Sequence, residues 1–225
     1  MKGPEAEVEE QHTVKVAMLG ESGVGKTCII ERYVSDMFNE YSEPTKGAAF
    51  KVKTIRSNDG KIELKLNIWD TAGQEIYRSL APFYYKDADA IVVVYDITNQ
   101  KSFEALDFWL GELKQHAPKD CLLTLVGNKS DKLDEEKVSP STAKNLADSR
   151  NASHFTVSAK ENLAINQVFL DIVARKHPNL CDQLGLKGTQ SQIDSDIISG
   201  PKSVDGVKIK PNRKKDDKNG GCCHK

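Results

Sequence analysis

The stretch Gly20–Thr27, GESGVGKT, constrains this chain more than any other, because it fits the pattern G-x-x-x-x-G-K-[ST]. A continuous apolar run, VKVAMLG, leads into it, and a helical pattern, TCIIERYV, follows it. Glycines allow backbone N–H groups to turn inward around an anion, Lys26 supplies a positive charge, and the Thr27 hydroxyl can ligate Mg²⁺. A glycine-rich turn with a chance lysine is the alternative, but the flanking strand and helix favour phosphate binding.

Strand and helix patterns alternate along the rest of the chain. Two segments with period-two alternation, FKVKTIRS and KIELKLNIWD, flank Asn58-Asp59-Gly60 and predict a hairpin with one exposed face. The largely apolar runs AIVVVYD, CLLTLVGN and HFTVSA predict buried strands. Three predicted helices lie between or after these strands. One carries apolar residues at helical spacing at Phe103, Leu106, Leu110 and Leu113, and another carries them from Ile165 to Val173 and ends before Pro178. A third begins after an N-cap at Ser139-Pro140. These patterns predict an α/β fold with a mostly parallel sheet, helices on both faces and one antiparallel edge hairpin.

The composition indicates one domain with flexible ends. With 38% hydrophobic residues among 225, the chain can bury one core. We expect the domain at 12–180, an acidic extension at 1–11 and a flexible tail at 181–225, because the ends hold few apolar residues. The first residues contain no signal-peptide core, and the longest apolar run, AIVVVYDI, is too short to cross a bilayer, so we expect a cytosolic protein. The five scattered cysteines do not predict a disulfide framework.

A second loop, WDTAGQE, follows the predicted hairpin. Asp70 stands at the end of a strand, where its carboxylate could hold Mg²⁺ through water, and Gln74 could orient a water molecule that attacks a terminal phosphate. Gly73 would contact that phosphate. A strand-end Asp that caps a turn is the alternative, and the presence of the Gly20–Thr27 loop favours metal binding.

Two further loops at strand ends predict the choice of base. In GNKSD, the Asp131 carboxylate could accept hydrogen bonds from guanine N1–H and the 2-amino group, a pair that adenine does not offer. Asn128 and Lys129 would brace the loop and cover the ring. In SAK, residues 158–160, the Ala159 N–H could donate to guanine O6. Such short motifs occur by chance, so their positions at strand ends are the evidence.

The four motifs in this order, over residues 13 to about 178, resemble a Ras-superfamily small GTPase. KLNIWDTAGQE, YRSLAPFYYKDA and VVYDITNQKSF, with the terminal double cysteine, are similar to the Rab branch, and GAAF and SLAPFYY resemble its early-endosomal subgroup. The resemblance implies the three-layer P-loop GTPase fold with a six-stranded sheet, Mg²⁺, and GTP or GDP as the bound nucleotide. The implied nucleotide-binding set is Glu21, Ser22, Gly23, Val24, Gly25, Lys26, Thr27, Cys28, Phe38, Thr45, Gly73, Asn128, Lys129, Asp131, Ser158, Ala159 and Lys160.

The resemblance also assigns residues that spacing alone does not. Thr45 should ligate Mg²⁺ beside Thr27 and Asp70 when the terminal phosphate is present, and Phe38 should pack on the edge of the guanine. The aromatic triad that Rab effectors contact would be Phe50, Trp69 and Tyr84, although each of these could be plain core. Two residues depart from the Rab pattern on the same partner surface, Lys46 and Ile76. We therefore expect them to affect the choice of effector or activating protein and to leave nucleotide affinity nearly unchanged.

The leading hypothesis is a membrane-traffic switch that hydrolyses GTP and binds effectors when loaded with GTP. The motifs place no Arg beside the terminal phosphate, so we expect slow intrinsic hydrolysis that an activating protein raises about 10³- to 10⁵-fold. An exchange factor is a further implied partner, and no nucleic acid is expected. A metabolic P-loop kinase or ATPase would need a lid and an adenine site, whereas this chain has NKSD. A GTP-locked scaffold with little turnover is disfavoured because Gln74 is present.

The chain ends in GGCCHK, with Cys222 and Cys223 adjacent. A zinc site would need other spacing, a redox pair would need a fold to position it, and Cys223-His224-Lys225 is a poor C-a-a-X continuation. The double cysteine resembles the Rab signal for two geranylgeranyl groups, which implies an escort protein, a prenyl transferase and a GDP-dissociation inhibitor as partners. Residues 201–225 carry eight Lys or Arg and three Asp. We therefore expect attachment to the cytosolic face of an early endosome or endocytic vesicle, with a cytosolic pool.

Overall fold

A computed structural model describes residues 7–73 and 81–186. Its six strands form one sheet in the order β2-β3-β1-β4-β5-β6. The strands are β1 (Glu10–Leu19), β2 (Ala48–Arg56), β3 (Ile62–Thr71), β4 (Ala90–Asp96), β5 (Leu122–Asn128) and β6 (Ser153–Thr156). Only the β2–β3 pair is antiparallel, with Phe50 opposite Trp69, and the other pairs are parallel. The predicted sheet with one edge hairpin is confirmed.

Helices cover both faces of the sheet. They are α1 (Lys26–Ser35), α2 (Ala81–Tyr85), α3 (Gln100–Glu104), α4 (Leu106–His116), α5 (Pro140–Ser149), α6 (Ile165–Lys176) and α7 (Leu180–Gln183), and a 3₁₀ helix spans Ser130–Glu135. One core lies between the sheet and α1, α6 and α7, and the other between the sheet and α2, α4 and α5. All of β4 is buried, as expected for a central parallel strand. None of the helices in the described ranges is both long enough and apolar enough to span a membrane.

The structure differs from the sequence prediction at both ends of the domain. Strand β1 begins at Glu10, because Glu9 N–H and Glu10 N–H donate to the carbonyl of Lys61. Helix α7 lies largely beyond residue 180, and buried Leu180 and Leu184 attach it to the core. The elements of the described ranges therefore run from Glu10 to Gln183, and the domain bounds of 12–180 stay a prediction. The signal for α7 was weak because a four-residue helix gives too few apolar repeats.

The apolar stripe that contains Phe103, Leu106, Leu110 and Leu113 belongs to two helices rather than one. The chain divides at Ala105 into α3 and α4, and the Asn99 side chain caps the first by accepting from the N–H groups of Lys101 and Ser102. The predicted N-cap at Ser139 is confirmed, because its side chain accepts from Thr142 N–H at 3.2 Å. Although the chain forms two helices here, Phe103, Leu106, Leu110 and Leu113 all pack in the same core against the sheet.

Candidate functional site

The Gly20–Thr27 loop lies at the carboxyl end of β1 and wraps around the Lys26 ammonium group. Lys26 Nζ donates to the carbonyls of Gly20 at 2.8 Å and Glu21 at 2.9 Å. Gly20 has φ 133°, and a Cβ there would lie 2.2 Å from the Val94 carbonyl oxygen, so only glycine fits. The loop thus packs against strand β4 at Gly20, and its own carbonyls hold the Lys26 ammonium group.

Electrostatics at this loop favour an anion. Burial lowers the pKa of Lys26 to about 8, although Asp70 and Glu21 oppose the shift. The same burial raises the pKa of Asp70, against hydrogen bonding from Thr27 and the charge of Lys26. A desolvated cation gains the most from a nearby negative group. A phosphate chain in the loop would therefore stabilise the charged form of Lys26.

Three oxygen-bearing side chains meet beside the loop. Thr27 Oγ1 donates to Asp70 Oδ2 at 2.7 Å, Thr45 Oγ1 lies 3.4 Å from the same oxygen, and the two hydroxyls are 2.9 Å apart. Asp70 Oδ1 is buried and has no hydrogen-bond partner among the described residues. Hydroxyl and carboxylate oxygens are the ligands that Mg²⁺ accepts, directly or through water. These residues therefore fit Mg²⁺, which when bound would neutralise phosphate charge.

The loop after β3 packs directly against the phosphate loop. A Cβ on Gly73 would lie 2.4 Å from the backbone of Glu21 and Ser22, so a larger residue would push the two loops apart. This contact places Gly73 beside the phosphate loop, and its contact with a terminal phosphate stays a prediction. Gln74 and Ile76 lie outside the described residues, as do Cys222 and Cys223, and the roles given to them stay predictions.

Asn128, at the end of β5, joins the base loops to the phosphate loop. Its Nδ2 donates to the Val24 carbonyl at 2.9 Å, and its Oδ1 accepts from Ala159 N–H at 3.2 Å. Asn128 is 2% exposed, so both contacts are shielded from water. The Asn128 amide therefore connects the phosphate loop at Val24 with the SAK loop at Ala159, two segments more than a hundred residues apart in the chain. The Ala159 N–H, which was expected to meet guanine O6, points to Asn128 in this structure.

Asp131 is held by the neighbouring loop. Ser158 Oγ donates to Asp131 Oδ1 at 2.6 Å and also accepts from Glu161 N–H at 3.0 Å. Because Ser158 is fully buried, this hydroxyl has a fixed position from which to orient the carboxylate. The sequence placed Ser158 in the site but did not indicate that it fixes Asp131.

Asp96, at the end of β4, was missed by the sequence reasoning. Its Oδ2 pairs with Lys129 Nζ at 2.7 Å, while its Oδ1 accepts from the N–H and hydroxyl of Thr98. Lys129 has φ 71°, a left-handed conformation that is costly for a side chain with a Cβ. The ion pair helps to hold Lys129 in this conformation. The position of Asp96 at the end of a predicted parallel strand was the available signal. The sequence analysis used that signal for Asp70 only.

Most of these groups line one cleft of about 370 Å³ at the carboxyl ends of β1, β3, β5 and β6, whereas Asp70, Asp96 and Ser158 are not among its lining residues. Both the phosphate-loop residues and the base-loop residues contribute to its wall. The lining residues are Ser22, Gly23, Gly25, Lys26, Thr27, Cys28, Phe38, Glu40, Ser42, Glu43, Pro44, Thr45, Thr71, Gly73, Asn128, Lys129, Asp131, Lys132, Ala159 and Lys160. The structure thus brings the predicted motifs together in one place, as the strand-end argument required.

Three aromatic residues are in contact where helix α2 meets the β2–β3 hairpin: Phe50 of β2, Trp69 of β3 and Tyr84 of α2. The rings of Phe50 and Trp69 are 5.0 Å apart, and those of Trp69 and Tyr84 are 5.4 Å apart. Phe50 is 47% exposed, so it is a surface residue rather than core. Lys46 is also exposed. The contacts agree with the predicted interaction surface.

Comparison with known proteins decides the class of the chain. The Ras family model matches residues 15–177. This chain is a Rab-type member of the Ras family. Ras-related protein Rab-22A from Canis lupus familiaris and from Homo sapiens are each 44% identical over 163 residues, which is 72% of this chain and 82% of theirs. GTP-binding protein YPT53 from Saccharomyces cerevisiae is 45% identical over 163 residues, 70% of this chain and 73% of its own.

Membership in this family fixes several properties. The Rab-type protein is a GTPase and a GTP-dependent switch in membrane traffic. Ras-family GTPases bind GTP or GDP with Mg²⁺, and the kinds of partner that the Rab branch uses are effectors, exchange factors, activating proteins and a GDP-dissociation inhibitor. The kinase reading is therefore set aside.

Proposed function

We propose that the cleft binds the phosphates of GTP and GDP at Lys26 and the guanine at Asp131, and that the protein switches endocytic transport. The observation that carries the site assignment is that Asp131, fixed by Ser158, lines the same cleft as Lys26. A carboxylate at this end accepts from guanine N1–H and the 2-amino group, while Lys26 meets the phosphates. Thr27, Thr45 and Asp70 hold Mg²⁺.

Asp131→Asn tests the base assignment. The amide would face the guanine donors with a donor of its own, so GTP affinity should fall by about 10⁴-fold, and affinity for xanthosine triphosphate should rise. Asp134→Asn is the matched control, because Asp134 is an exposed acid of the same 3₁₀ helix that does not line the cleft. Fluorescence titration measures all three proteins. Equal GTP affinity in Asp131→Asn and Asp134→Asn would refute the assignment.

For hydrolysis, we propose that Gln74 orients the attacking water on the terminal phosphate. Thr45 and Gly73 contact the γ-phosphate side, so their two loops relax after the phosphate leaves. Gln74→Leu should bind GTP like the parent protein and hydrolyse it about 10-fold more slowly in the presence of an activating protein. A parent-like rate under those conditions would remove Gln74 from the catalytic role.

The membrane assignment is a separate part of the proposal. Its support is the resemblance of GAAF and SLAPFYY to the early-endosomal Rab subgroup and the double cysteine of GGCCHK. Two lipid chains near basic residues give stable attachment, whereas one gives reversible attachment. Replacing Cys222 and Cys223 by Ser should move the protein to the soluble fraction with GTP binding intact. Unmodified cysteines on membrane-bound protein, seen by intact mass, would contradict lipid anchoring.

A further inference from the structure

Arg32, in the last turn of α1, contacts two loops at once. Its Nε donates to the Ala159 carbonyl at 2.9 Å and its Nη2 to the Lys160 carbonyl at 3.1 Å, both in the SAK loop. On its other side, Nη1 donates to the carbonyl of Asp36 at 2.9 Å and to its carboxylate at 3.0 Å. The Arg32 side chain is 15% exposed, whereas that of Asp36 is 76% exposed. The bond to the Ala159 carbonyl is therefore partly buried, and those to Asp36 face solvent.

Asp36 is the point at which helix α1 turns into the segment that carries Phe38. It has φ 55°, a left-handed conformation, and its N–H donates to the Arg32 carbonyl at 3.1 Å. Asn162 Nδ2, from the far side of the SAK loop, donates to the Asp36 carboxylate at 3.1 Å. Phe38 lines the cleft, with its ring centroid 6.0 Å from Arg32 Cζ. Arg32 and Asn162 therefore join the start of this segment to the SAK loop.

Both joined segments contribute residues to the cleft, Phe38 from one and Ala159 and Lys160 from the other. Ala159 N–H is bonded to Asn128, whose other amide atom is bonded to the phosphate loop. A guanidinium has five N–H donors in a rigid plane, so it can bind two loops at once, whereas a lysine ammonium has a single centre. Displacing Asp36 would therefore pull on Arg32 and, through it, on the carbonyls of the loop that surrounds the base.

We propose that Arg32 is a positioning residue that couples the Asp36–Phe38 segment to the SAK loop and sets how slowly GDP is released. The inference rests on the proposed guanine site. It also gives a route for exchange, in which a protein that draws Asp36–Phe38 outward breaks the Arg32 contacts and loosens the base loop. Arg32 touches neither the phosphate loop nor the Mg²⁺ ligands in the hydrogen bonds above, so the effect should fall on nucleotide release far more than on hydrolysis.

The test measures dissociation of a fluorescent GDP analogue from the full chain, together with single-turnover hydrolysis of bound GTP. Arg32→Ala should release GDP about 10- to 100-fold faster, because several charge-assisted hydrogen bonds are lost. Arg32→Lys should release it nearly as fast as Arg32→Ala, because one ammonium cannot hold both loops. Asp36→Ala keeps the two SAK contacts and should give a smaller acceleration, which also provides a reading if Arg32→Ala does not fold.

Lys51→Ala is the matched control. It breaks the 2.8 Å ion pair with Glu31, the neighbour of Arg32 on the same helix, and should leave release unchanged. Release at the parent rate in both Arg32→Ala and Asp36→Ala, full rescue by Arg32→Lys, or an equal change in release and hydrolysis would overturn the proposal. Parent protein that fails to prefer the GDP analogue over an adenine analogue would instead overturn the guanine site itself.

Discussion

The two ends of the cleft are built differently. At the phosphate end, one continuous stretch of chain supplies the glycines, the lysine and a hydroxyl, and its own carbonyls hold the Lys26 ammonium. At the base end, residues from α1, β4, β5 and the SAK loop meet through side-chain bonds such as Asn128 to Ala159 and Asp96 to Lys129. The phosphate end therefore depends on local backbone shape, and the base end depends on long-range assembly.

This difference predicts how each end responds to change. A side-chain atom added where two backbone segments are in contact is strongly destabilising, because neither segment can shift without losing other contacts. An assembly of side chains can lose one supporting contact and keep the others, so single substitutions of residues that support the base end, unlike Asp131 itself, should have graded effects on nucleotide release or stability. Single substitutions and acid should therefore affect the two ends to different degrees.

Gly20→Ala should be the most severe single change at the phosphate end. The new Cβ would lie 2.2 Å from the Val94 carbonyl oxygen, and the residue would have to keep φ 133°. We expect the free energy of unfolding to fall by about 3 kcal/mol or more. Gly111→Ala is the control, because Gly111 lies in α4 with nothing within 4 Å of its Cβ position, and helix propensity predicts stabilisation of about 0.5–1 kcal/mol. Similar melting temperatures in the two variants would remove the claim of a rigid loop.

Acid should weaken the base end first. His154 of β6 is buried beside Tyr95, whose hydroxyl is 3.1 Å from its Nε2, and burial lowers the pKa of His154 from 6.5 to about 4. Between these values the unfolded chain binds a proton that the folded chain does not, so stability is lost as the pH falls from 6.5 to 4. The loss should reach about 3 kcal/mol.

The β2–β3 hairpin should keep its stability to lower pH than β5 and β6. Hydrogen bonds from Arg56, Lys65 and Gln11 lower the pKa of Glu63 from 4.5 to about 2, so its contribution is lost only below pH 4.5. At pH 5, amide hydrogen exchange should therefore be less protected in β5 and β6 than in β2 and β3. His154→Gln should flatten the pH dependence of the free energy of unfolding between 6.5 and 4. A parent-like slope in that variant would assign the acid response to other groups.

Asp96→Asn should have the smallest effect. It removes the charge that pairs with Lys129 and keeps a side chain that can still accept from Thr98. GDP affinity should fall about 3- to 10-fold, in the range of a partly exposed ion pair. Isothermal titration with GDP measures the change, and the exposed pair Lys144–Asp148, broken by Lys144→Ala, is the control. No difference between the two variants would mean that Asp96 does not support the base end.

The same difference explains what could be read from the sequence. Gly20–Thr27 and Asp70 could be identified because the residues that act together are adjacent or lie at a recognisable strand end. Arg32 could not be assigned, because its partner Ala159 is 127 residues away and only the fold brings them together. Asp96 also stands at a strand end, but nothing in the sequence indicates its pairing with Lys129, 33 residues away. Helix α7 and the division at Ala105 depend on packing rather than on periodicity, so neither left a distinct pattern.

The central claim is that one cleft selects guanine at the assembled end and holds phosphates at the backbone end. The most direct measurement is the native mass of the purified full chain, followed by release and chromatography of whatever it carries. The account predicts one guanine nucleotide, mainly GDP, per chain, retained with Mg²⁺ and lost when a chelator removes the metal. An adenine nucleotide, or stoichiometric GDP that Asp131→Asn retains as firmly as the parent protein, would contradict it.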